Sequence, residues 1–207
     1  KYYEEIPHSF SNVTANNINV IFDNLLSTGF INDKQFHYLK AVVPPKPRPF
    51  YILPKIHKPR SSWPHPNMPA GRPIVSDCGS ETEGASEFID YFLKPLSNLH
   101  PSYIKDSYDF VHKIRHLNIP NDYLLVTGDI TSLYTNMTIK RSLEVVKKAF
   151  LDHPDINRPD QAILDLLNIC LKGSDFTFAG RFFNQICGTA MGKKFSPSLA
   201  NLYLLEF

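Results

Sequence analysis

Proline clusters in one part of this chain, and that clustering limits what the chain can fold into. Ten of the 17 prolines lie between Pro44 and Pro73. A proline inside a helix removes a backbone hydrogen bond and clashes with the preceding turn, so regular helix is excluded over most of this stretch. The apolar residues of "FYILPKIH" are too dense for a flexible linker. We therefore predict two short strands, at residues 50–53 and 73–76, that pair antiparallel across a long loop.

The same stretch is cationic. Residues 34–76 hold eight of the 22 basic residues and none of the 20 acidic ones. The eight are Lys34, Lys40, Lys46, Arg48, Lys55, Lys58, Arg60 and Arg72. A cationic segment on an otherwise acidic chain suggests a polyanionic partner such as nucleic acid. A solvated surface loop explains the charge equally well, so charge alone leaves both interpretations open.

Apolar residues at helical spacing predict helices on both sides of the prolines. Before them, the pattern predicts one helix that stops at Gly29 and a short second helix over residues 33–39, capped by Asn32. After them, helices are predicted over residues 86–99, from Asp106 or Ser107 to about Leu117, from Thr138 to Phe150, over residues 159–171, and from Ser196 onward.

Two further segments predict strands. The apolar run "YLLVTGD" at residues 123–129 is typical of a buried central strand that ends at Asp129. The segment "DFTFAGRFFNQI" predicts a hairpin that turns at Ala179-Gly180. Because helices and strands alternate irregularly, we expect an α+β fold in which a small antiparallel sheet packs on helices.

Other features narrow the class of protein. No apolar run reaches the length of about 18 residues that a membrane span requires, and the first residues do not resemble a signal peptide. The three cysteines, Cys78, Cys170 and Cys187, follow no metal-ligand spacing. We therefore expect reduced thiols in an intracellular protein.

Asp129 is one candidate for chemistry. A carboxylate at a strand end, with the next backbone carbonyl at Ile130 beside it, suits a hard divalent cation. Tyr134 is expected to face the same pocket from the following turn. Taken alone the signal is weak, because an aspartate after a strand is more often a turn or cap residue.

The segment from Gly188 to Pro197 is a second candidate. Gly188, Met191-Gly192 and Ser196-Pro197 place backbone with little side chain before a helix N-terminus, where a planar base or sugar can approach closely. Lys193 and Lys194 add positive charge beside it. An ordinary turn between a hairpin and a helix accounts for the same residues equally well.

The combination of four blocks is more specific than any one of them. "FYILPKIHKP", "GRPIVSDCGSETEGASEFIDYFLKPL", "LLVTGDITSLYTNM" and "NQICGTAMGKKFSPSLANLYLLEF" occur in this order. Together they closely resemble the reverse transcriptases of Penelope-like retroelements, which are relatives of telomerase catalytic subunits. The resemblance covers the chain from about Val42 onward and, weakly, the helices before it.

The resemblance implies a right-hand polymerase fold and a division of the chain. Residues 1–41 would form an N-terminal helical segment, residues 42–122 the fingers, and residues 123–207 part of the palm with its first and second motifs. It also implies RNA-directed DNA synthesis, in which Mg²⁺ assists nucleotidyl transfer onto a primer 3′-hydroxyl. The implied partners are an RNA template, a DNA primer and deoxynucleoside triphosphates, and the implied location is the nucleus.

Individual roles follow by resemblance only. Arg72 and Lys55 or Lys58 would bind the triphosphate of the incoming nucleotide, as suits a guanidinium that matches phosphate oxygens. Asp129 and the Ile130 carbonyl would bind Mg²⁺. The backbone amides of Ser132 and Leu133 would contact phosphates, and Tyr134 would act as a steric gate. Met191 and Gly192 would contact the nucleotide. The residues that would contact template or primer are Lys193, Lys194, Ser196, Pro197 and Asn201.

Two departures from the family pattern stand out. Small residues commonly follow the Met-Gly step in the family, whereas Lys193-Lys194 follow it here. The family's third palm motif, an aromatic-x-Asp-Asp turn, is expected after the final helix and does not occur in these 207 residues. Because two-metal transfer needs carboxylates on both sides of the metal pair, we expect this chain to be inactive alone.

The sequence leaves three hypotheses about the function open. The first is a polymerase of which this chain is the fingers and a partial palm. The second is a non-catalytic module from a decayed or domesticated element that binds nucleic acid through residues 34–72. The third, a protein-interaction domain, leaves the four blocks unexplained. A palm sheet lacking its third motif also predicts self-association through exposed rings at Phe176, Phe178, Phe182 and Phe183.

Overall fold

The computed structural model describes residues 2–205 and contains helices and short strands in irregular order. The helices are α1 (Ser11–Ser27), α2 (Asp33–Leu39), α3 (Glu83–Ser97), α4 (Ser107–Ile114), α5 (Leu133–Asn136), α6 (Ile139–Asp152), α7 (Asp160–Lys172) and α8 (Ser196–Leu204). The strands are β1 (Tyr3–Ile6), β2 (Phe50–Pro54), β3 (Gly71–Val75), β4 (Asp175–Phe178) and β5 (Arg181–Gln185). Of the helices within residues 2–205, none has the length and apolarity needed to span a membrane.

Two small antiparallel sheets lie against the helices, as an α+β fold requires. One has the strand order β1-β5-β4, and the other is the β2–β3 pair. They meet where the Thr177 amide donates a 3.0 Å hydrogen bond to the Arg48 carbonyl. The predicted ribbon across the proline-rich stretch is confirmed, with Phe50 opposite Val75 and Pro54 opposite Gly71.

The main hydrophobic core lies among α1, α3, α6, α7 and α8. Phe22, Ile89, Val146, Leu166 and Phe195 are fully buried in it. A smaller apolar cluster joins Val75 of β3 to Phe176 of β4. The ribbon therefore packs on the three-stranded sheet, and that sheet packs on the helices.

Local signals placed several element ends correctly. The Asn32 side chain accepts from the Gln35 amide and caps α2, and the Thr138 side chain accepts from the Arg141 amide and caps α6. Asp106 caps α4 in the same way. The hairpin turns at Ala179 and Gly180, which both have positive φ. Strand β1 was not predicted from the sequence; it pairs with β5.

The predicted central strand at residues 123–129 is wrong in this structure. The segment has no strand partner within residues 2–205, and the side chains of Tyr123, Leu124, Leu125 and Val126 are 67%, 90%, 83% and 87% exposed. An apolar run predicts burial, but a strand forms only where another strand satisfies its backbone groups. Neither the β2–β3 pair nor the β1-β5-β4 sheet includes it.

Helix α4 forms as predicted, but its apolar stripe is not buried. Phe110, Val111 and Ile114 are 49%, 57% and 39% exposed, and Leu117 beyond the helix is 61% exposed. The periodicity therefore located the helix without identifying a surface for it to pack on.

The phenylalanines of the hairpin are covered within the chain itself. Phe176 stacks on Phe50 and on Phe183, with ring centroids 5.2 and 5.7 Å apart, and Tyr3 packs edge-on against it at 5.4 Å. Only Phe178 is substantially exposed, at 49%. Two of the four rings given as the reason for self-association, Phe176 and Phe183, therefore pack within the chain, and self-association itself stays a prediction.

Candidate functional site

The β2–β3 ribbon presents one face away from the sheet. In an antiparallel pair, residues directly opposite each other place their side chains on the same face. Tyr51 stands opposite Ile74, and Leu53 stands opposite Arg72. These four therefore share one face, while Phe50 on the other face packs on β4.

A groove of about 380 Å³ opens at the base of that face. We call it the ribbon groove; its lining is Tyr51, Ile74, Ser76, Asp77, Cys78, Glu83, Ser86, Glu87, Gly192 and Lys194. Arg72 lies two residues nearer the ribbon tip than Ile74, roughly 7 Å along the strand. Its side chain is exposed and has no carboxylate partner among the described residues. A free guanidinium thus stands above a groove with one apolar wall.

Gly192 joins the segment before α8 to the end of the ribbon. The Val75 amide donates a 3.2 Å hydrogen bond to the Met191 carbonyl. A Cβ atom on Gly192 would overlap the Val75 carbonyl oxygen, so glycine is required for this approach. The two segments that the sequence marked as nucleotide-binding, residues 72–76 and 191–192, are therefore in direct backbone contact.

Gly188 makes a second close approach, to the segment that carries Tyr134. The Thr189 amide donates a 2.8 Å hydrogen bond to the Tyr134 carbonyl. A Cβ atom on Gly188 would overlap that same carbonyl oxygen, and the φ of +76° at Gly188 also favours glycine. The phenol of Tyr134 is half-buried, which raises its pKa above the ordinary value. The residues from Gly188 to Gly192 thus bridge the Tyr134 turn and the ribbon.

A cluster of buried charges lies behind the ribbon groove. Arg48 Nε is 3.1 Å from Asp77 Oδ1, Nη2 is 2.6 Å from Glu81 Oε1, and Nη1 is 3.4 Å from Asp175 Oδ1. Lys193 Nζ is 3.4 Å from Asp77 Oδ1. We call these five residues the charge cluster; each is at most 5% exposed. It ties together the segments before β2, after β3, at β4 and before α8.

The charge cluster contains three carboxylates and two cations. Burial opposes ionisation of Asp77, but Lys193 and Arg48 outweigh it and hold the pKa of that carboxyl well below its ordinary value. Burial raises the pKa of Glu81, and Arg48 offsets only part of the increase. Glu81 Oε2 is buried and has no hydrogen-bond partner. Glu81 is therefore more readily protonated than Asp77.

Two sequence predictions are corrected by these contacts. Lys193 is 3% exposed and its ammonium lies 2.8 Å from Thr82 Oγ1, so it is not accessible to a template strand. Ser196 is 2% exposed and donates to the Ala190 carbonyl at 2.9 Å, which gives it a structural role. Arg48, one of the eight cations of residues 34–76, is also buried, in the charge cluster.

The other predicted template residues stay accessible. Lys194, Pro197 and Asn201 are exposed, and Lys194 forms an ion pair with Glu87 at the edge of the ribbon groove. On the ribbon, Lys58 is exposed and Lys55 is half-buried. Seven of the eight cations of residues 34–76 thus reach the surface at least in part.

The predicted magnesium ligands lie apart from the ribbon groove. Asp129 is exposed and does not line it, and Ile130 is 51% exposed. Ser132 adopts a left-handed backbone with φ of 56°, and Leu133 opens α5 after it. Over residues 2–205 no three His, Cys, Asp or Glu side chains converge in a way that would hold a metal ion. Asp129 and the Ile130 carbonyl alone supply two oxygen ligands, fewer than Mg²⁺ requires without substrate and water.

The charge cluster was missed by sequence reasoning. Its members lie far apart in sequence, with 127 residues between Arg48 and Asp175 alone, and each looks like a surface charge in its own segment. The one available signal was "SDCGSETEG", where acidic and hydroxyl residues concentrate directly after a cationic strand.

Comparison of the chain with protein-family models and with curated proteins found no match.

Proposed function

We propose that this chain forms the fingers and part of the palm of an RNA-directed DNA polymerase of the Penelope-like class. In this proposal the ribbon groove binds an incoming deoxynucleoside triphosphate. The observation that carries it is the contact between Gly192 and Val75, which brings the segment before α8 to the base of the strand that carries Arg72. Val75 and Gly192 are 117 residues apart in sequence.

Each side of the groove would have a distinct role. The guanidinium of Arg72 would bind triphosphate oxygens with paired, charge-assisted hydrogen bonds. Tyr51 and Ile74 would pack against the sugar or base, and the bare backbone of Gly192 would allow the ring to approach closely. Lys194 would add positive charge at the opposite edge. Tyr134, held behind Gly188, would act as the steric gate only if the Tyr134 turn closes on the groove.

Nucleotidyl transfer is proposed for the polymerase to which these residues would belong. Asp129 and the Ile130 carbonyl would be its Mg²⁺ ligands, and a bound Mg²⁺ would polarise the phosphoryl group. The residues described here would bind and orient the nucleotide. The proposal for this chain by itself is therefore binding.

Nucleotide affinity tests the proposal. We would titrate the chain with a fluorescent deoxynucleoside triphosphate and compare wild type with Arg72→Ala. The matched control is Arg181→Ala, which removes an exposed arginine that pairs with Glu5. Losing charge-assisted bonds at Arg72 should weaken binding by about tenfold or more. Unchanged affinity in Arg72→Ala, or an equal loss in Arg181→Ala, would overturn the assignment.

A non-catalytic nucleic-acid-binding module is the second candidate. The observation in its favour is that seven of the eight cations of residues 34–76 remain at least partly exposed. This function predicts binding of nucleic acid that falls steeply with salt and no nucleotide affinity that depends on Arg72. The same titration therefore separates the two functions.

A further inference from the structure

A second groove lies next to the ribbon groove and is lined by aromatic rings. It has a volume of about 660 Å³ and runs between α2 and α3. Phe30, Tyr38, Tyr91 and Phe92 contribute rings to it. We call it the aromatic groove.

Three rings of this groove, those of Phe30, Tyr91 and Phe92, form a connected layer. Phe92 lies 5.0 Å from Tyr91 and 6.5 Å from Phe30 between ring centroids, and both Phe30 and Phe92 contact the buried ring of Phe88. Tyr38 and Tyr91 are 70% and 74% exposed. The layer is therefore anchored in the core, while the ring of Tyr91 within it and the ring of Tyr38 elsewhere in the groove remain open to a ligand.

The groove is lined by two carboxylates, Glu87 and Asp90, and two ammonium groups, Lys94 and Lys194. Glu87 accepts from the Tyr38 hydroxyl at 2.5 Å and pairs with Lys194. Asp90 accepts from Ser198 Oγ at 2.6 Å. Lys94 has no carboxylate partner within the described chain. Both carboxylates are thus already hydrogen-bonded, whereas the ammonium of Lys94 is free to bind an anion.

The aromatic groove continues from the ribbon groove. Glu87 and Lys194 line both, so their ion pair forms the shared wall. Helix α2, on the far side, carries exposed Lys34 and ends beside exposed Lys40. A ligand extending from the ribbon groove would therefore pass the open rings of Tyr38 and Tyr91, with Lys94 and Lys194 in the lining beside them.

We propose that the aromatic groove binds a single-stranded nucleic acid, with bases stacked on Tyr38 and Tyr91 and a phosphate on Lys94. Open aromatic rings interleaved with cations are the combination that single-strand binding uses, since every base has a face that stacks. A peptide would use the rings but has no need of the flanking lysines. The inference rests on the proposed function, because the bound strand would be the part of the template that extends away from the nucleotide in the ribbon groove.

Binding of a labelled 12-nucleotide RNA, followed by fluorescence anisotropy, tests this assignment. The double variant Tyr38→Ala/Tyr91→Ala should lose at least about fivefold in affinity for each ring removed. Tyr91→Phe keeps the ring and should bind like wild type. The matched control is Tyr108→Ala, because Tyr108 is 89% exposed on α4 and lines neither groove. Lys94→Ala should reduce the slope of log K against log salt by about 0.7.

Nucleotide affinity measured on the same proteins separates the two proposals. Weaker RNA binding with unchanged nucleotide affinity in the double tyrosine variant supports the aromatic groove. Unchanged RNA binding alongside Arg72-dependent nucleotide binding overturns the groove and leaves the proposed function standing. If the wild-type chain binds neither RNA nor nucleotide, both proposals are wrong. The proposal for the aromatic groove would also be overturned if the groove bound an aromatic peptide but no RNA.

Discussion

The ammonium of Lys193 lies 3.4 Å from Oδ1 of Asp77, although 116 residues separate the two in sequence. Both side chains are buried, at 1% and 5% exposure. The contact connects the segment before α8 to the segment after β3. It holds the backbone of Gly192 against the ribbon, so it positions one side of the ribbon groove.

Adjacent lysines should therefore behave differently. Replacing Lys193 by methionine leaves buried carboxylates short of a cation and should lower the free energy of unfolding by about 3 kcal/mol or more. Replacing Lys194 by methionine removes an exposed ion pair with Glu87 and should cost less than about 1 kcal/mol. Urea denaturation of both variants measures the difference. Equal losses would contradict the buried placement of Lys193.

Glu81 should make stability depend on pH. Its pKa is raised above the ordinary value of 4.5 in the folded protein. A raised pKa means that the stabilising contribution is complete below the unfolded value and is lost as the pH rises through the folded value. Glutamine does not titrate, so the melting temperature of Glu81→Gln relative to wild type should increase between pH 5 and pH 8.

The control for Glu81→Gln is Glu144→Gln. Glu144 is exposed on α6, where it pairs with Lys140 and Arg141. Its substitution should change the melting temperature by a small amount that is similar at both pH values. A difference for Glu81→Gln that stays constant or decreases with pH would show that Glu81 is ionised throughout.

Gly192 should not tolerate a side chain. Alanine there would overlap the Val75 carbonyl, and displacing the backbone should cost about 1–3 kcal/mol. Gly128→Ala is the matched control, since a Cβ atom there meets nothing within 4 Å; its effect should stay within about 0.5 kcal/mol. Thermal unfolding of the two variants compares them directly. A neutral Gly192→Ala would rule out the close approach.

Leu124 distinguishes the structure from the prediction of a buried strand. In a buried strand, replacing this leucine by serine would cost about 2–5 kcal/mol. Leu124 is 90% exposed here, so Leu124→Ser should leave the free energy of unfolding within about 0.5 kcal/mol of wild type. A large loss in chemical denaturation would show that the segment is buried in solution.

Part of the candidate site could be predicted from the sequence. The glycine at 192 and the arginine at 72 stood out because a bare backbone and a guanidinium suit a nucleotide, and both lie at the ribbon groove or directly above it. The roles of Lys193 and Ser196 could not be predicted in this way. Whether a lysine or serine faces a ligand or the interior depends on which distant segment packs over it.

Caps and turns could be predicted because they depend on neighbouring residues. Asn32 and Thr138 cap helices through atoms three residues away, and Ala179-Gly180 turns the hairpin through its own backbone angles. The burial of Arg48 and the exposure of the apolar run from Tyr123 to Val126 depend instead on how distant segments pack. Burying a charge requires partners, as Asp175 is for Arg48 across 127 residues. A strand likewise requires a neighbour that no local pattern specifies.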